Sequence, residues 1–207
     1  MAYALKPTTN PISNSLFQKW SPILKKFKST PMTEIEIRFG RKAPSGFDTN
    51  VGQDSFFKVL RALEKYEAWE SKKQANMTMY YFDGNKRLTV NEETDEQFGQ
   101  IKKRLAVDDF ELTDAPLDVR LGISSEVPFE YDGDETSTEQ KTKKRWSFVR
   151  KNLSIDMSIV KGNPEDQDDD QDMTYQIEME IVDPSILESD VDIFNIFYKV
   201  FDIINCV

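Results

Sequence analysis

The sequence contains no histidine and only one cysteine among its 207 residues. The missing histidines exclude the Ser-His-Asp and Cys-His arrangements of nucleophilic catalysis, and they remove both the usual general base and the commonest zinc ligand. The single cysteine, Cys206, excludes an internal disulfide and agrees with a reducing compartment. Any chemistry in this chain must therefore rest on other side chains.

Long apolar runs are also missing. No apolar stretch is long enough to span a bilayer, and residues 1–9 lack the apolar run of a secretion signal, so we expect a soluble, intracellular protein without a membrane partner. Hydrophobic residues make up 38% of the chain, which suffices for one domain over residues 1–207. The formal charge of -10 predicts an outer surface that repels nucleic acid, so any RNA contact must be local.

The carboxyl end of the sequence suggests a longer polypeptide. The chain stops at Val207 directly after an apolar, helix-like stretch, whereas domains usually end in exposed polar linkers. One hypothesis is therefore that residues 1–207 are one domain cut from a larger protein.

Three segments have the spacing of amphipathic helices. Apolar residues recur every three or four positions in 13–28, in 54–66 and in 190–205. Asp54 or Ser55 is predicted to cap the second helix, because a short polar side chain at a helix start accepts hydrogen bonds from free backbone N–H groups. All three helices are predicted to pack an apolar stripe against another surface.

Eight further segments alternate between apolar and polar residues, which is the period of a half-buried strand. They lie near residues 33–39, 76–82, 86–91, 98–105, 117–126, 143–149, 153–160 and 174–181. Turns are predicted at 83–85, at 131–142 and in the acidic run 163–172. The acidic run lacks the glycine and closing glutamate of a calcium loop, so we interpret it as a solvated hairpin tip.

The strands present one apolar face and one charged face, because successive side chains of a strand point to opposite sides. Acids are paired on the first and last strands, whereas the strands between them are mainly basic. The charged positions are Glu34, Glu36, Arg38, Arg87, Lys102, Arg104, Arg120, Glu126, Lys143, Arg145, Asp156, Glu178 and Glu180.

Two arrangements would account for this charged face. The simpler one is an antiparallel sheet whose charged face meets water. Against it, three amphipathic helices need an apolar surface to cover, and the apolar face of the strands is the only one available. Solvated faces also usually mix charges of both signs more evenly. We therefore expect an α+β fold, an eight-stranded antiparallel β-barrel with helices packed outside and charges inside.

The pairs Glu34/Glu36 and Glu178/Glu180 predict a cation site. Alternation puts both carboxylates of a pair on one face, with Cα atoms roughly 7 Å apart. If the two strands are neighbours, four carboxylates converge, and like charges about 5 Å apart repel by roughly 3 kcal/mol at an effective dielectric of about 20. Oxygen ligands alone suit Mg²⁺ or Mn²⁺. A single Glu-x-Glu match would more often be a solvent-facing pair on an edge strand.

The basic residues on the same face predict a binding site for a linear polyphosphate. Each alone would be an ordinary surface charge, but together they form a cationic clamp for phosphate oxygens. Phosphoryl transfer requires mainly positioning and charge stabilisation, so glutamate, arginine, lysine and a metal suffice for hydrolysis with water as the nucleophile.

Five segments, taken together and in order, resemble the strands of a known family. Residues 34–40 and 175–181 look like the two metal-binding glutamate strands of the fungal and viral metal-dependent RNA triphosphatases, which are triphosphate tunnel metalloenzymes. Residues 120–126 are similar to that family's arginine, serine and glutamate strand, 143–147 to its Lys-x-Arg-x-Ser strand and 155–158 to its aspartate strand. The resemblance spans about residues 33 to 181 and is closest to the N-terminal domain of giant-virus capping enzymes, such as that of mimivirus.

This resemblance implies an eight-stranded tunnel that hydrolyses the γ-phosphate of 5′-triphosphate RNA, the first step of mRNA capping, often with activity on nucleoside triphosphates. By position, Glu34, Glu36 and Glu180 would bind the metal, and Glu178 would bind the metal or a water on it. Glu126 would orient the attacking water. The remaining roles would be catalysis by Arg120, Lys143 and Arg145 and phosphate binding by Arg38, Arg87, Lys102, Arg104 and Asp156.

The lysine strand departs from the family pattern, because residues 102–104 are three consecutive bases. Strand parity favours Lys102 and Arg104 for the inner face, whereas a β-bulge would bring Lys103 there.

Two alternatives to an RNA triphosphatase stay open at this point. A phosphohydrolase for inorganic tripolyphosphate or another small triphosphate would share the same motifs. A non-catalytic domain would instead bind an acidic ligand or a partner protein through its charged face. A third hypothesis is that the enzyme works only when it is covalently joined to guanylyltransferase and methyltransferase domains beyond Val207, for which this chain has no motif. If the protein is viral, we expect it to act in the virion or the host-cell cytoplasm.

Overall fold

The computed structural model describes residues 10–162 and 173–207, so the predicted turn at 163–172 lies outside the described residues. The described part contains three α-helices and nine β-strands, with two short 3₁₀ turns at Asp83–Asn85 and Pro184–Ile186. The elements, in chain order, are α1 Pro11–Phe27, β1 Thr33–Ala43, β2 Gly46–Asp48, α2 Gln53–Lys65, β3 Ser71–Phe82, β4 Lys86–Asn91, β5 Gln97–Phe110, β6 Asp118–Phe129, β7 Glu139–Arg150, β8 Leu153–Lys161, β9 Thr174–Ile181 and α3 Asp190–Ile204.

Eight of the strands close into an antiparallel barrel. Strand β1 pairs with β6 on one side and with β9 on the other, so the ring runs β1-β6-β5-β4-β3-β7-β8-β9. The predicted eight-stranded barrel is therefore confirmed. The ninth strand, β2, was not predicted; it pairs with the far end of β1, from Arg41 to Ala43, and lies outside the ring.

The hydrophobic core lies between the outer face of the barrel and the helices. Ile35, Ile37 and Phe39 of β1 are fully buried beneath this layer. Trp20 of α1 packs against Phe197 of α3 with ring centroids 6.0 Å apart. Since the apolar strand face turns outward to the helices, the charged face turns inward, as the sequence predicted. No helix in the described ranges has the length and apolarity needed to cross a membrane.

The helices begin at residues that satisfy their first N–H groups, with one difference from the prediction. Asn10 accepts from the backbone N–H groups of Ile12 and Ser13 at the start of α1, and Ser189 forms a capping box at the start of α3. Helix α2 begins at Gln53 after Gly52, whose φ of 78° suits glycine, and it has no side-chain cap. The predicted cap at Asp54 or Ser55 was therefore wrong, because the chain enters the helix before those residues.

Several strands are longer than their alternation indicates. Strand β3 begins at Ser71 rather than near 76, and β7 begins at Glu139, so the last part of the predicted turn 131–142 is strand. Lys72 and Gln74 on the outer side of β3 are exposed, so this part of the strand has no apolar face. A strand that is polar on both faces has no period for sequence analysis to detect.

Strand β5 contains a β-bulge near its middle. The register with β6 shifts between Arg104 and Ala106. Before the bulge Lys102 lies opposite Glu126, and after it Asp109 lies opposite Arg120. The bulge therefore comes after the three bases, leaves Lys102 on the inner face and reverses the parity of the rest of the strand.

Candidate active site

Closure of the barrel turns the charged strand face into the wall of a cavity. The cavity has a volume of about 380 Å³. Its lining comes from most strands of the ring and mixes carboxylates with cations. The lining residues are Glu34, Glu36, Arg38, Met79, Tyr81, Arg87, Lys102, Lys141, Lys143, Arg145, Val160, Gly162, Thr174, Gln176 and Glu178.

The two Glu-x-Glu strands are hydrogen-bonded neighbours. Across the seam between β1 and β9, Glu36 lies opposite Glu180 and Arg38 lies opposite Glu178. On the other side of β1, Glu34 lies opposite Ser124 of β6 and accepts a hydrogen bond from its Oγ at 3.0 Å. The carboxylates at both ends of the strand sequence therefore converge at this seam, as the sequence predicted.

Two of these carboxylates have strongly raised pKa values. Burial, together with the nearby charges of Glu178 and Glu34, raises the pKa of Glu36 to about 7. Burial and the charges of Glu34 and Asp156 raise the pKa of Glu180 to about 7. A carboxylate in such surroundings is stabilised by a proton or by a cation.

The other two carboxylates are neutralised by neighbouring cations. Glu178 lies 3.0 Å from Arg38 Nε and 3.8 Å from Lys143 Nζ. Although burial acts to raise it, these two cations lower the pKa of Glu178 to about 2. Burial is likewise outweighed at Glu34, whose pKa is lowered by its ion pair with Lys102 and its hydrogen bond from Ser124.

The chemistry of this seam fits a hard divalent cation. In their present positions, the described side chains form no group of three or more His, Cys, Asp or Glu placed to hold a metal ion. The seam nevertheless offers carboxylate oxygens only, and a cation already lies among them: Lys102 Nζ contacts Glu34 and lies 3.0 Å from Glu126 Oε1 and 3.9 Å from Glu36 Oε1. Oxygen ligands and an excess of negative charge are what Mg²⁺ and Mn²⁺ require.

The opposite wall supplies buried cations with unused donors. Lys143 is only 8% exposed, and burial lowers its pKa from 10.5 to about 8. Arg87 donates from Nη2 to Gln100 Oε1 at 2.6 Å. Three buried polar atoms, Arg87 Nε, Arg145 Nε and Ser158 Oγ, have no hydrogen-bond partner within the described ranges. Such donors on the inner face of a barrel suit an anion with many oxygens, such as a polyphosphate.

Some predicted residues lie on the inner face but beyond the cavity. Asp156 is buried, with Oδ2 3.9 Å from Arg145 Nη1. Arg120 donates from Nε and Nη2 to Asp109 at 2.6 and 2.9 Å, and its guanidinium lies 4.8 Å from the centroid of the Phe47 ring. Arg104 is exposed, just before the bulge. The structure thus brings most of the predicted set together but leaves Arg104 at the surface.

Sequence reasoning missed several residues that contribute to the site. Gln100 links two of the predicted residues, because it accepts from Arg87 and donates from Nε2 to Glu126 Oε2. Tyr81 and Lys141 line the cavity. Strand parity places Gln100 on the inner face, two positions before Lys102, but only charged residues were considered. Parity also places Lys141 there, two positions before Lys143, but the predicted strand began at residue 143.

The sequence matches the model of a protein family described as mRNA capping enzyme, beta chain, over residues 8–195, which is most of the chain. The chain belongs to this family. A search of curated protein sequences finds no match to this chain.

Solved structures with the same fold include capping triphosphatases from a yeast and from a virus. The RNA triphosphatase Pct1 of S. pombe has a TM-score of 0.76 and 15% identity, with 98% of this chain and 96% of that chain covered. Pct1 in complex with the Spt5 CTD has a TM-score of 0.72 and 14% identity, covering 98% and 94%. The RNA triphosphatase domain of a trifunctional mimivirus mRNA capping enzyme has a TM-score of 0.64 and 13% identity, covering 93% and 96%. At these identities the likeness shows the fold.

Family membership makes this chain an RNA 5′-triphosphatase of the triphosphate tunnel type, active in the first step of mRNA capping. The family is metal-dependent. The activity inferred from the resemblance is confirmed, and the comparisons support neither the small-triphosphate hydrolase nor the non-catalytic domain.

Proposed function

We propose that the barrel cavity binds the 5′-triphosphate of RNA and that hydrolysis of its γ-phosphate uses Mg²⁺ or Mn²⁺ held at the seam of β1 and β9. The pairing of Glu36 with Glu180 across that seam, with buried Lys143 and half-buried Arg145 on the facing wall, carries this proposal. This arrangement places carboxylates that require a cation and basic residues that require an anion on the same inner surface of the barrel.

Glu34, Glu36 and Glu180 are the proposed metal ligands. The raised pKa values of Glu36 and Glu180 support this assignment for those two residues, since a bound cation would stabilise both carboxylates in their charged form. When bound, the metal would neutralise charge on the phosphate oxygens and orient the triphosphate. Glu178 is proposed to act through its neighbours, because its contacts with Arg38 and Lys143 fix both cations toward the cavity.

The phosphate-binding residues are proposed to be the cations that line the cavity: Arg38, Arg87, Lys102, Lys143 and Arg145. Arginine forks onto two phosphate oxygens and lysine supplies a compact charge, so together they stabilise charge that develops during phosphoryl transfer. Asp156 is proposed to hold Arg145 in place for the phosphates. Arg104, which is exposed, is proposed to contact the phosphates only if the substrate extends to the surface at the bulge.

Glu126 is proposed to orient the attacking water. Gln100 donates a hydrogen bond to one of its carboxylate oxygens, and Lys102 lies 3.0 Å from the other, so the carboxylate is held in a fixed position. Burial and the neighbouring Glu34 raise the pKa of Glu126, which suits a group that takes up a proton. Arg120 is proposed to provide a fixed positive charge further along the barrel, where Asp109 holds it.

The wider context is also proposed from the resemblance and the comparisons. The mimivirus relative is a trifunctional capping enzyme. By analogy, residues 1–207 would be a single triphosphatase domain of a capping system, with guanylyltransferase and methyltransferase domains covalently linked to it. Free nucleoside triphosphates would be accepted as further substrates, because the proposed contacts are to phosphates. A viral enzyme of this type would act in the virion or the host-cell cytoplasm.

Phosphate release from triphosphate-ended RNA tests the proposal. We expect wild-type protein to release the γ-phosphate only with a divalent cation, and Glu34→Ala and Glu180→Ala each to lose at least about 100-fold in activity, because a direct ligand matters at least as much as its supporting contacts. The matched control is Glu67→Ala, an exposed glutamate in a loop, which should retain full activity. Full activity of Glu180→Ala with a retained fold would refute the proposed site.

A further inference from the structure

One end of the cavity carries an aromatic ring. Tyr81 lines the cavity together with Lys141, and we call this part the Tyr81 end. Glu34 and Glu36 line another part of the same cavity, which we call the carboxylate end. Tyr81 is the last residue but one of β3, next to the Asp83–Asn85 turn, so its ring lies at the rim of the barrel. Its side chain is partly exposed.

The rim around Tyr81 is held in place by several contacts. The backbone oxygen of Tyr81 accepts from the N–H of Thr138 at 2.8 Å and from its Oγ1 at 3.1 Å. Lys141 Nζ lies 5.4 Å from the centroid of the Tyr81 ring and 2.9 Å from Glu139 Oε1. Because these contacts already hold the Tyr81 backbone in place, a ligand that binds to the ring orders little additional structure, and the entropic cost of binding is small.

The ring also adjoins the phosphate-binding wall. In the sheet register, Tyr81 lies directly opposite Arg87 on β4. Side chains of directly opposed residues are in contact range, with Cβ atoms about 5 Å apart. Arg87 is a proposed phosphate ligand with a buried, unpaired Nε. A group attached to a phosphate at Arg87 and extending toward the rim would therefore reach the ring.

We propose that Tyr81 stacks on the first nucleoside of the substrate and so makes the enzyme prefer nucleotide triphosphates over inorganic tripolyphosphate. This inference rests on the proposed function, because it requires the γ-phosphate to lie at the carboxylate end and the nucleoside at the Tyr81 end. Aromatic stacking accepts every base, as a capping enzyme must, since each base has a π face. Inorganic tripolyphosphate has no nucleoside and gains nothing from the ring.

Kinetics of Tyr81 variants of residues 1–207 test this inference. We expect Tyr81→Ala to raise the KM for triphosphate-ended RNA about tenfold, which is the size of one base–aromatic stack, with kcat nearly unchanged. The Ki of inorganic tripolyphosphate as a competitive inhibitor should stay at the wild-type value. Tyr81→Phe should keep the wild-type KM, because the ring remains, and Tyr81→Leu should behave like Tyr81→Ala although it keeps apolar bulk.

The matched control is Tyr80→Ala, because Tyr80 is the same residue type on the opposite face of the same strand. It should leave both KM and Ki unchanged. An unchanged KM in Tyr81→Ala, or an equal rise of KM and Ki, would overturn the inference, since the ring would then serve only the phosphate wall. Absence of phosphate release from RNA by the wild-type protein would instead refute the proposed function.

Discussion

Lys143 combines deep burial with a position among opposed charges. Burial lowers its pKa to about 8, Glu178 acts to raise it, Arg145 and Arg87 act to lower it further, and Asp156 acts to raise it. These groups come from β9, β7, β4 and β8, so they surround the ammonium. A lysine with a pKa of about 8 is mostly protonated at pH 7, loses its charge at weakly alkaline pH and is held in the charged form when an anion binds.

This pKa predicts the alkaline limb of the pH profile. In the free enzyme, the Lys143 ammonium loses its proton above about pH 8, so we expect kcat/KM for triphosphate-ended RNA to fall there. The decrease of kcat at alkaline pH should be smaller than that of kcat/KM, because the phosphates of the bound substrate keep the proton on Lys143. In Lys143→Arg the guanidinium stays charged, and the limb near pH 8 should disappear even if the rate is lower. The same limb in both proteins would assign it to another group.

Gln100 illustrates a residue whose role only its contacts reveal. It is neutral and carries no chemistry of its own, but it joins the guanidinium of Arg87 to the carboxylate of Glu126. Neutral residues between charged ones are easily passed over in a sequence, because the charged residues define the pattern. Their importance depends on which two groups they connect.

At the scale of elements, a glycine on β6 makes room for a glutamate side chain on β1. Gly122 lies opposite Glu36, and a Cβ atom at this position would be 2.9 Å from Glu36 Oε1 and 3.2 Å from its Cγ. The glycine therefore leaves room for the glutamate against the neighbouring strand.

The start of helix α3 is fixed by neighbouring residues of the sequence, through the capping box of Ser189 and Asp192.

Gly122→Ala should disturb the proposed metal site without unfolding the barrel. The added methyl group would displace the Glu36 carboxylate, a flexible side-chain end, so we expect activity to fall about 10- to 100-fold and the divalent cation concentration for half-maximal activity to rise. Circular dichroism and thermal unfolding should stay close to wild type. Ser125→Ala, on the outer face of the same strand, is the control and should keep wild-type metal dependence. Unaltered metal dependence in Gly122→Ala would argue against Glu36 as a ligand.

At the scale of the whole molecule, charge is divided between inside and outside. The chain has a formal charge of -10, yet cations dominate one wall of its cavity. Long-range repulsion therefore disfavours polyanions on the outer surface, while the interior attracts a short, highly charged group. This division favours binding of the triphosphate end of RNA over binding along the RNA chain.

Thermal unfolding should show how the interior charges depend on a cation. A divalent ion at about 100 times its Kd should stabilise the fold by about 2.7 kcal/mol, which raises the Tm by roughly 5–10 °C for a chain of this size. Glu180→Gln removes one repelling charge, so its Tm without metal should equal or exceed that of wild type, while the metal-induced shift shrinks. Glu67→Gln should shift like wild type. A full metal shift in Glu180→Gln would exclude Glu180 as a ligand.

The sequence by itself determined the two faces of the strands, the helix stripes and the pairs Glu34/Glu36 and Glu178/Glu180, because strand and helix periods are local properties of the chain. Tertiary structure decided that Asp109 lies opposite Arg120, since the bulge between Arg104 and Ala106 shifts the register with β6. It also decided that β1 lies between β6 and β9, and that Tyr81 lies in the same cavity as Glu34. Such neighbours depend on hydrogen bonds between distant strands, which no local pattern encodes.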